Sequence, residues 1–258
     1  MNECERSAPS AGRFFFFQRR RRRKGTTICA RKRHLIEDTL NQNELQQTTQ
    51  RIRIRFSKRG VARFISHHDL MRLFKRAVRR AELPVRMSQG FNPQPRIAFP
   101  APLKLGWEGE NEVVDLELQG WMPPAKVIEI LARELPEGIR LRSGRVVGRS
   151  RPCAPLSLLY RIPLLPGAGI TDKDVAELLG KTSISLERTR KGKARTLDVR
   201  TALGGMTLSD GVLTMDIRFD PQGTPSPEDV LHILNLEAGR DYETGAIARA
   251  FVRMDDAD

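Results

Sequence analysis

RIRIRF, residues 51–56, alternates arginine with a bulky apolar residue at every step. Period two is the signature of a strand with one packed face and one wet face, and here the wet face is Arg51, Arg53 and Arg55. The 48 residues before this region lack apolar periodicity: Phe14 to Phe17, then RRRRRK at 19–24, RKR at 31–33 and a Gln/Asn-rich stretch. That composition predicts a disordered basic extension over 1–48, with at most a short helix near 35–46. An over-long N-terminal extension accounts for it more simply than a dedicated RNA-binding arm.

On the C-terminal side the pattern stays orderly. A helix is expected at about 66–82, then a proline-rich loop around GFNPQP, a short strand RIAF (96–99), a strand EVVDLEL (112–118), a helix at about 123–134 and a strand near 139–147. The order β-α-β-β-α-β predicts a ferredoxin-like unit over 49–148. After the linker GRSRPCAP (148–155) the order recurs. LLYRIPL (158–164), SISLERT (183–189), GVLTMDIRF (211–219) and GAIARAFVRM (245–254) read as strands, with helices at 171–180 and 226–235. RTRKGKAR (188–195) reads as a hairpin tip turning at Gly192. The expected fold is α+β, two tandem ferredoxin-like (βαββαβ) domains over 49–148 and 156–254 behind the disordered basic tail.

Charge is concentrated. Of a net +14 over 258 residues, the stretch 51–106 carries 14 basic and 2 acidic residues, while 107–258 carries 20 and 24. A localised positive surface is the footprint of a phosphate-rich partner, and nucleic acid fits it better than a membrane, which also asks for an exposed apolar face. The three cysteines have no metal spacing, an odd count argues against a disulfide framework, and a reducing cytoplasm is the simplest setting. No apolar run approaches the roughly 18 residues of a membrane helix. Nucleotide, hydrolase and metalloprotease motifs are absent, so no cofactor or metal is expected.

The basic excess centres on FISHHDLMRLFKRAVRR, residues 64–80. Ser66 followed by Asp69 at three residues resembles a capping box, which makes Ser66 the expected N-cap. At helical period Leu70, Leu73, Phe74, Ala77, Val78 and Ala81 form an apolar face, and Arg72, Lys75, Arg76, Arg79 and Arg80 a cationic one. His67 borders the apolar side and His68 tops the basic side, about 100° apart and poorly placed to share a metal. A helix N-terminus disfavours imidazolium and welcomes an anion, so both suit phosphate binding or proton exchange. Plain packing and capping is an equally good account of His67. The loop Ser88 to Arg96 is the second concentration: Gly90 free to take positive φ, Asn92, stiffening Pro93 and Pro95, and Phe91 as a ring for base stacking, with Arg63, Arg86 and Arg96 nearby. Phe91 as a core plug is the competing account.

Residues 56–106, from FSKRGVARFISHHDL through GFNPQP to PLKLG, closely resemble the start of a radical-SAM-linked family, DUF2344, and a weaker likeness runs to about 253. The resemblance places Ser66, His67, Asp69, Gly90, Phe91, Asn92, Pro93 and Pro95 on family motif positions. His68 stands where the family usually has an apolar residue, and Gln94 where histidine is common. It implies a radical SAM protein as partner. This chain has no CxxxCxxC triad, so the iron–sulfur cluster of such chemistry would belong to the partner. Three functional readings follow: an RNA-binding accessory module presenting tRNA or rRNA to that enzyme, a metal-independent endoribonuclease using His67, or a protein-binding adaptor without RNA.

Overall fold

A computed structural model describes residues 49–148, 154–166, 168–190, 193–220, 223–238 and 247–255. The expectations for 1–48, for Gly192 and for the three cysteines lie outside these residues. In chain order the first elements are β1 (Thr49–Lys58), α1 (His67–Arg80), β2 (Ile97–Ala98), β3 (Glu108–Gln119), α2 (Pro124–Ala132) and β4 (Ile139–Val147). They are followed by β5 (Pro155–Pro163), α3 (Asp172–Gly180), β6 (Ser185–Arg190), β7 (Lys193–Asp198), α4 (Val199–Ala202), β8 (Leu203–Ser209), β9 (Val212–Arg218), α5 (Pro227–Ala238) and β10 (Ala248–Met254).

RIRIRF lies in β1, a central strand held antiparallel by β3 on one side and β4 on the other. Its apolar positions Ile52, Ile54 and Phe56 are fully buried, and with Val114, Leu116 and Leu118 of β3 they form the floor on which α1 and α2 pack. From α1 this core takes Leu70, Phe74, Ala77 and Val78, the apolar face expected from the helical period.

The arginine face departs from expectation. Register sets Arg51 opposite Glu117 and Arg53 opposite Asp115, so each arginine meets a carboxylate across the strand pair. Arg53 grips Asp115 through two hydrogen bonds, 2.9 and 3.1 Å, and only 1% of Arg53 is exposed. Arg55 lies over the Phe251 ring at 4.3 Å and donates to the Val252 carbonyl. A face expected to be wet is thus largely internal, because its charges have partners.

In the second half, β5 sits between β10 and β9, and β8 pairs with β9 at the far side. SISLERT supplies β6 but does not enter this sheet: it pairs with β7 in a separate hairpin, register Ser185↔Asp198 to Arg190↔Lys193. The sheet position goes instead to β8, joined to β9 by the two-residue turn Asp210-Gly211, both at positive φ. That is the geometry matching strand twist in a tight hairpin.

Among the described residues eight strands form one mixed sheet, β4-β1-β3-β10-β5-β9-β8 with β2 also on β3. The junction is parallel, Ala248 and Arg249 of β10 against Glu108 and Gly109 of β3. The second apolar core, between β5, β9 and β10 and helices α3 and α5, draws in Ala101, Leu103, Trp107 and Val113 from the first half. No helix among the described residues is long and apolar enough to cross a membrane.

Candidate nucleic-acid interface

Ser66 ends an extended approach and caps α1: its Oγ accepts from the Asp69 N–H at 3.2 Å and donates to Asp69 Oδ2 at 2.7 Å. The expected reciprocal box is only half made, because the Asp69 carboxylate turns to the Ser66 hydroxyl and to Arg72 rather than to the cap backbone. Those contacts, the Ser66 bond first and then Arg72, pull the Asp69 carboxyl below its ordinary range.

The helix then displays its basic side chains to solvent. Arg72, Arg76, Arg79 and Arg80 are exposed and Lys75 is half-buried. Two of the five have acidic partners, Arg72 with Asp69 and Arg80 with Glu134 beyond α2. Arg76 and Arg79 have no ion pair among the described residues. Arg72, Arg76 and Arg80 line a groove of about 610 Å³ that also takes in Arg133, Leu73 and Leu135. The cationic row is real, though less uncompensated than its sequence suggests.

His68 is exposed at the head of this row, while His67 is half-buried, as the helical period indicates. The His67 ring stands edge-on to Phe99 at 5.8 Å, and Phe99 completes an aromatic cluster with Phe56 and Phe74. Burial lowers the His67 pKa, and His68, Arg249 and Lys58 lower it further. The imidazole is therefore held neutral more strongly than in water. No group of three metal-ligating side chains occurs among the described residues.

The loop is closed at its neck. Ser88 N–H donates to the Gln94 carbonyl at 2.8 Å, Gln94 N–H donates to Ser88 Oγ at 3.0 Å, and Met87 bridges Pro95. Pro95 is buried while Gly90, Asn92 and Pro93 are exposed, and Gly90 adopts φ 131°, a region that disfavours side chains. Phe91 is 107% exposed, so it is not a core plug. Lys75 reaches Gln94 at 3.5 Å, which ties the loop beside the basic row. Arg63 and Arg96 do not join that row: Arg63 stacks on Phe64 at 4.8 Å, and Arg96 turns to Glu117.

A buried charged cluster that the sequence pattern does not announce lies beside His67. Lys58 is 0% exposed and donates to the Ile65 carbonyl just before the Ser66 cap. Burial lowers its pKa, against the pull of Glu112. Arg249 from β10 pairs with buried Glu112 and donates to the carbonyls of Ala101 and Pro102. Burial alone would lower the Arg249 pKa, but Glu112 more than reverses it and keeps the guanidinium charged. Carrying the β1 alternation past Phe56 would have placed Lys58 on the packed side; nothing local points to Arg249.

A family model described as "Uncharacterized protein conserved in bacteria (DUF2344)" matches residues 51–227, a span that includes β1 from Arg51 onward, all of α1 and the 88–96 loop. No curated protein matches the chain. With more than half of its length under that one match, the chain belongs to the DUF2344 family.

Proposed function

We propose that this protein binds RNA through α1 and the Ser88–Arg96 loop, as an accessory module that presents a structured RNA to a radical SAM partner enzyme. The observation that carries the reading is the row of exposed Arg72, Arg76, Arg79 and Arg80 with half-buried Lys75, lying beside a fully exposed Phe91. Cations along a backbone track with an aromatic ring at its side are what single-stranded or looped RNA uses, the charges for phosphates and the ring for an unstacked base. The partner enzyme enters from the family resemblance. For architecture, the strand orders β4-β1-β3-β2 and β10-β5-β9-β8 support reading each half as a ferredoxin-like unit, the second with β6 and β7 inserted.

Binding of total cellular RNA to the full chain tests this. Five phosphate contacts to a single strand imply a loss of roughly 100-fold in affinity between about 50 and 200 mM salt. Arg76→Glu with Arg79→Glu should remove most of that binding and flatten the salt slope, and Phe91→Ala should weaken it by about 1–3 kcal/mol if a base stacks there. Salt-independent binding, or binding untouched by the double variant, defeats the proposal. The neutral, half-buried His67 is the feature that supports a ribonuclease. The same incubation reads it: cleavage by the wild type, lost in His67→Ala with binding retained, would establish a catalytic base. A salt-sensitive complex with an enzyme and no bound RNA would establish the adaptor.

A further inference from the structure

The basic side of α1 divides into two stripes. Asp69, Arg72, Leu73, Arg76 and Arg80 recur every three or four residues and line the groove of about 610 Å³, whose other wall is Arg133 to Pro136 beyond α2. His68, Lys75 and Arg79 lie on a second stripe, the one from which Lys75 reaches Gln94 of the loop. Groove and loop thus flank α1 on different sides.

The charges of the groove nearly cancel. Arg72 meets Asp69 at 3.2 Å, Arg80 meets Glu134 at 2.7 Å and Arg133 meets Glu129 at 2.6 Å. Arg76 is the groove arginine without a carboxylate among the described residues, so the surplus is a single guanidinium. One acceptor is open as well. Arg80 holds Glu134 twice, donating from Nε to Oε2 and from Nη2 to the backbone carbonyl, each at 2.7 Å. The carboxylate is thereby fixed in place, and its Oε1 has no hydrogen-bond partner among the described residues. Ile65, Leu73, Leu135 and Pro136 supply the apolar lining.

We propose that the groove takes one unpaired nucleotide of the bound strand, with its phosphodiester on Arg76 and an amino-bearing base at Glu134. A phosphodiester carries a single negative charge, which equals the surplus, and a planar guanidinium fork meets two of its oxygens. The volume falls within the roughly 300–1,000 Å³ of small-molecule sites, which combine apolar walls with a few placed polar groups. A carboxylate accepts, so it selects a base edge that donates. Cytosine offers its N4 amino group. Uracil offers only N3–H, set between two carbonyl oxygens that a carboxylate repels. A base reaches the groove only when it is out of any pair or stack, which restricts the ligand to single strands and loops. The site rests on α1 binding RNA, and it gives that surface a base preference that phosphate contacts alone do not supply.

The affinities of the full chain for oligocytidylate and oligouridylate of equal length, at one salt concentration and neutral pH, test the site. Equal phosphate counts make the electrostatic contribution the same, so the ratio reads the base. Oligocytidylate is expected to bind at least ~5-fold more tightly. Glu134→Gln should abolish that preference, because Arg80 keeps the amide oxygen and the groove then presents a donor. Arg76→Gln should weaken both strands about 10-fold and keep the ratio. Phe91→Ala should also weaken both and keep the ratio, since the loop flanks the other side of α1. Equal affinity for the two strands, or a preference that survives Glu134→Gln, overturns the proposal and leaves the RNA surface standing. Binding of neither strand overturns it too, and total cellular RNA then decides whether α1 binds RNA at all.

Discussion

At the scale of single residues, His67 joins the basic row to the buried charges behind it. Its imidazole rests on Phe99 with Lys58 and Arg249 nearby, and burial foremost keeps its pKa below the ordinary 6.5. The sign of the pH effect follows. Above pH 6.5 the residue is neutral in folded and unfolded chain alike and contributes nothing. As pH falls below 6.5 the unfolded chain takes up the proton first, so stability is lost until the folded imidazole titrates too. His67→Phe should therefore lose less stability than the wild type between about pH 7.5 and 5, measured by urea unfolding at each pH. Equal losses in both proteins would remove His67 from the acid response. The ring's placement was legible from helical period, since three residues separate it from Leu70; its cationic surroundings were not, because Arg249 arrives from the far end of the chain.

Among elements, β1 and α1 show what patterning can and cannot carry. Alternation in RIRIRF gave the strand and its packed face correctly, but an arginine face is wet or dry according to what the neighbouring strand sets opposite it. Asp115 and Glu117 were visible in EVVDLEL, yet their register against Arg53 and Arg51 is a tertiary fact. Asp115→Ala should cost about 3–5 kcal/mol, since it removes the carboxylate that meets the buried Arg53 guanidinium through two hydrogen bonds, whereas replacing both by apolar residues of similar volume should cost much less. Chemical unfolding of the single and paired variants checks this. For α1, Ser66→Ala should cost about 1 kcal/mol through the lost cap. The missed strand β8 did leave a signal: Asp210-Gly211 is a tight-hairpin dipeptide, and a strand before it follows from the alternating strand after it.

For the whole molecule, the decisive contact is the junction of the halves. β10 lies between β3 and β5, and Arg249 carries charge from the second half into the buried carboxylate of the first. Trp107 packs in the second core and Trp121 is exposed in the first half, so fluorescence and far-UV circular dichroism together sample both. A single coincident unfolding transition is expected, and Arg249→Leu should shift it as one to lower urea by about 3–5 kcal/mol of stability. Separated transitions in the wild type would mean that the halves are energetically independent. Most of the strands and helices were readable from hydrophobic period, but the continuity of the sheet was not, because no local pattern announces a pairing between distant strands.

That junction also orders events during translation. The Glu112–Arg249 pair closes across 137 residues. At about 5–20 residues per second, Glu112 has left the peptidyl-transferase centre for roughly 7 to 27 s before Arg249 is even added. Throughout that interval the emerging first half holds a carboxylate without its guanidinium partner and a strand edge without its neighbour. The nascent polypeptide reaches its native sheet only once β10 has cleared the ribosomal exit tunnel.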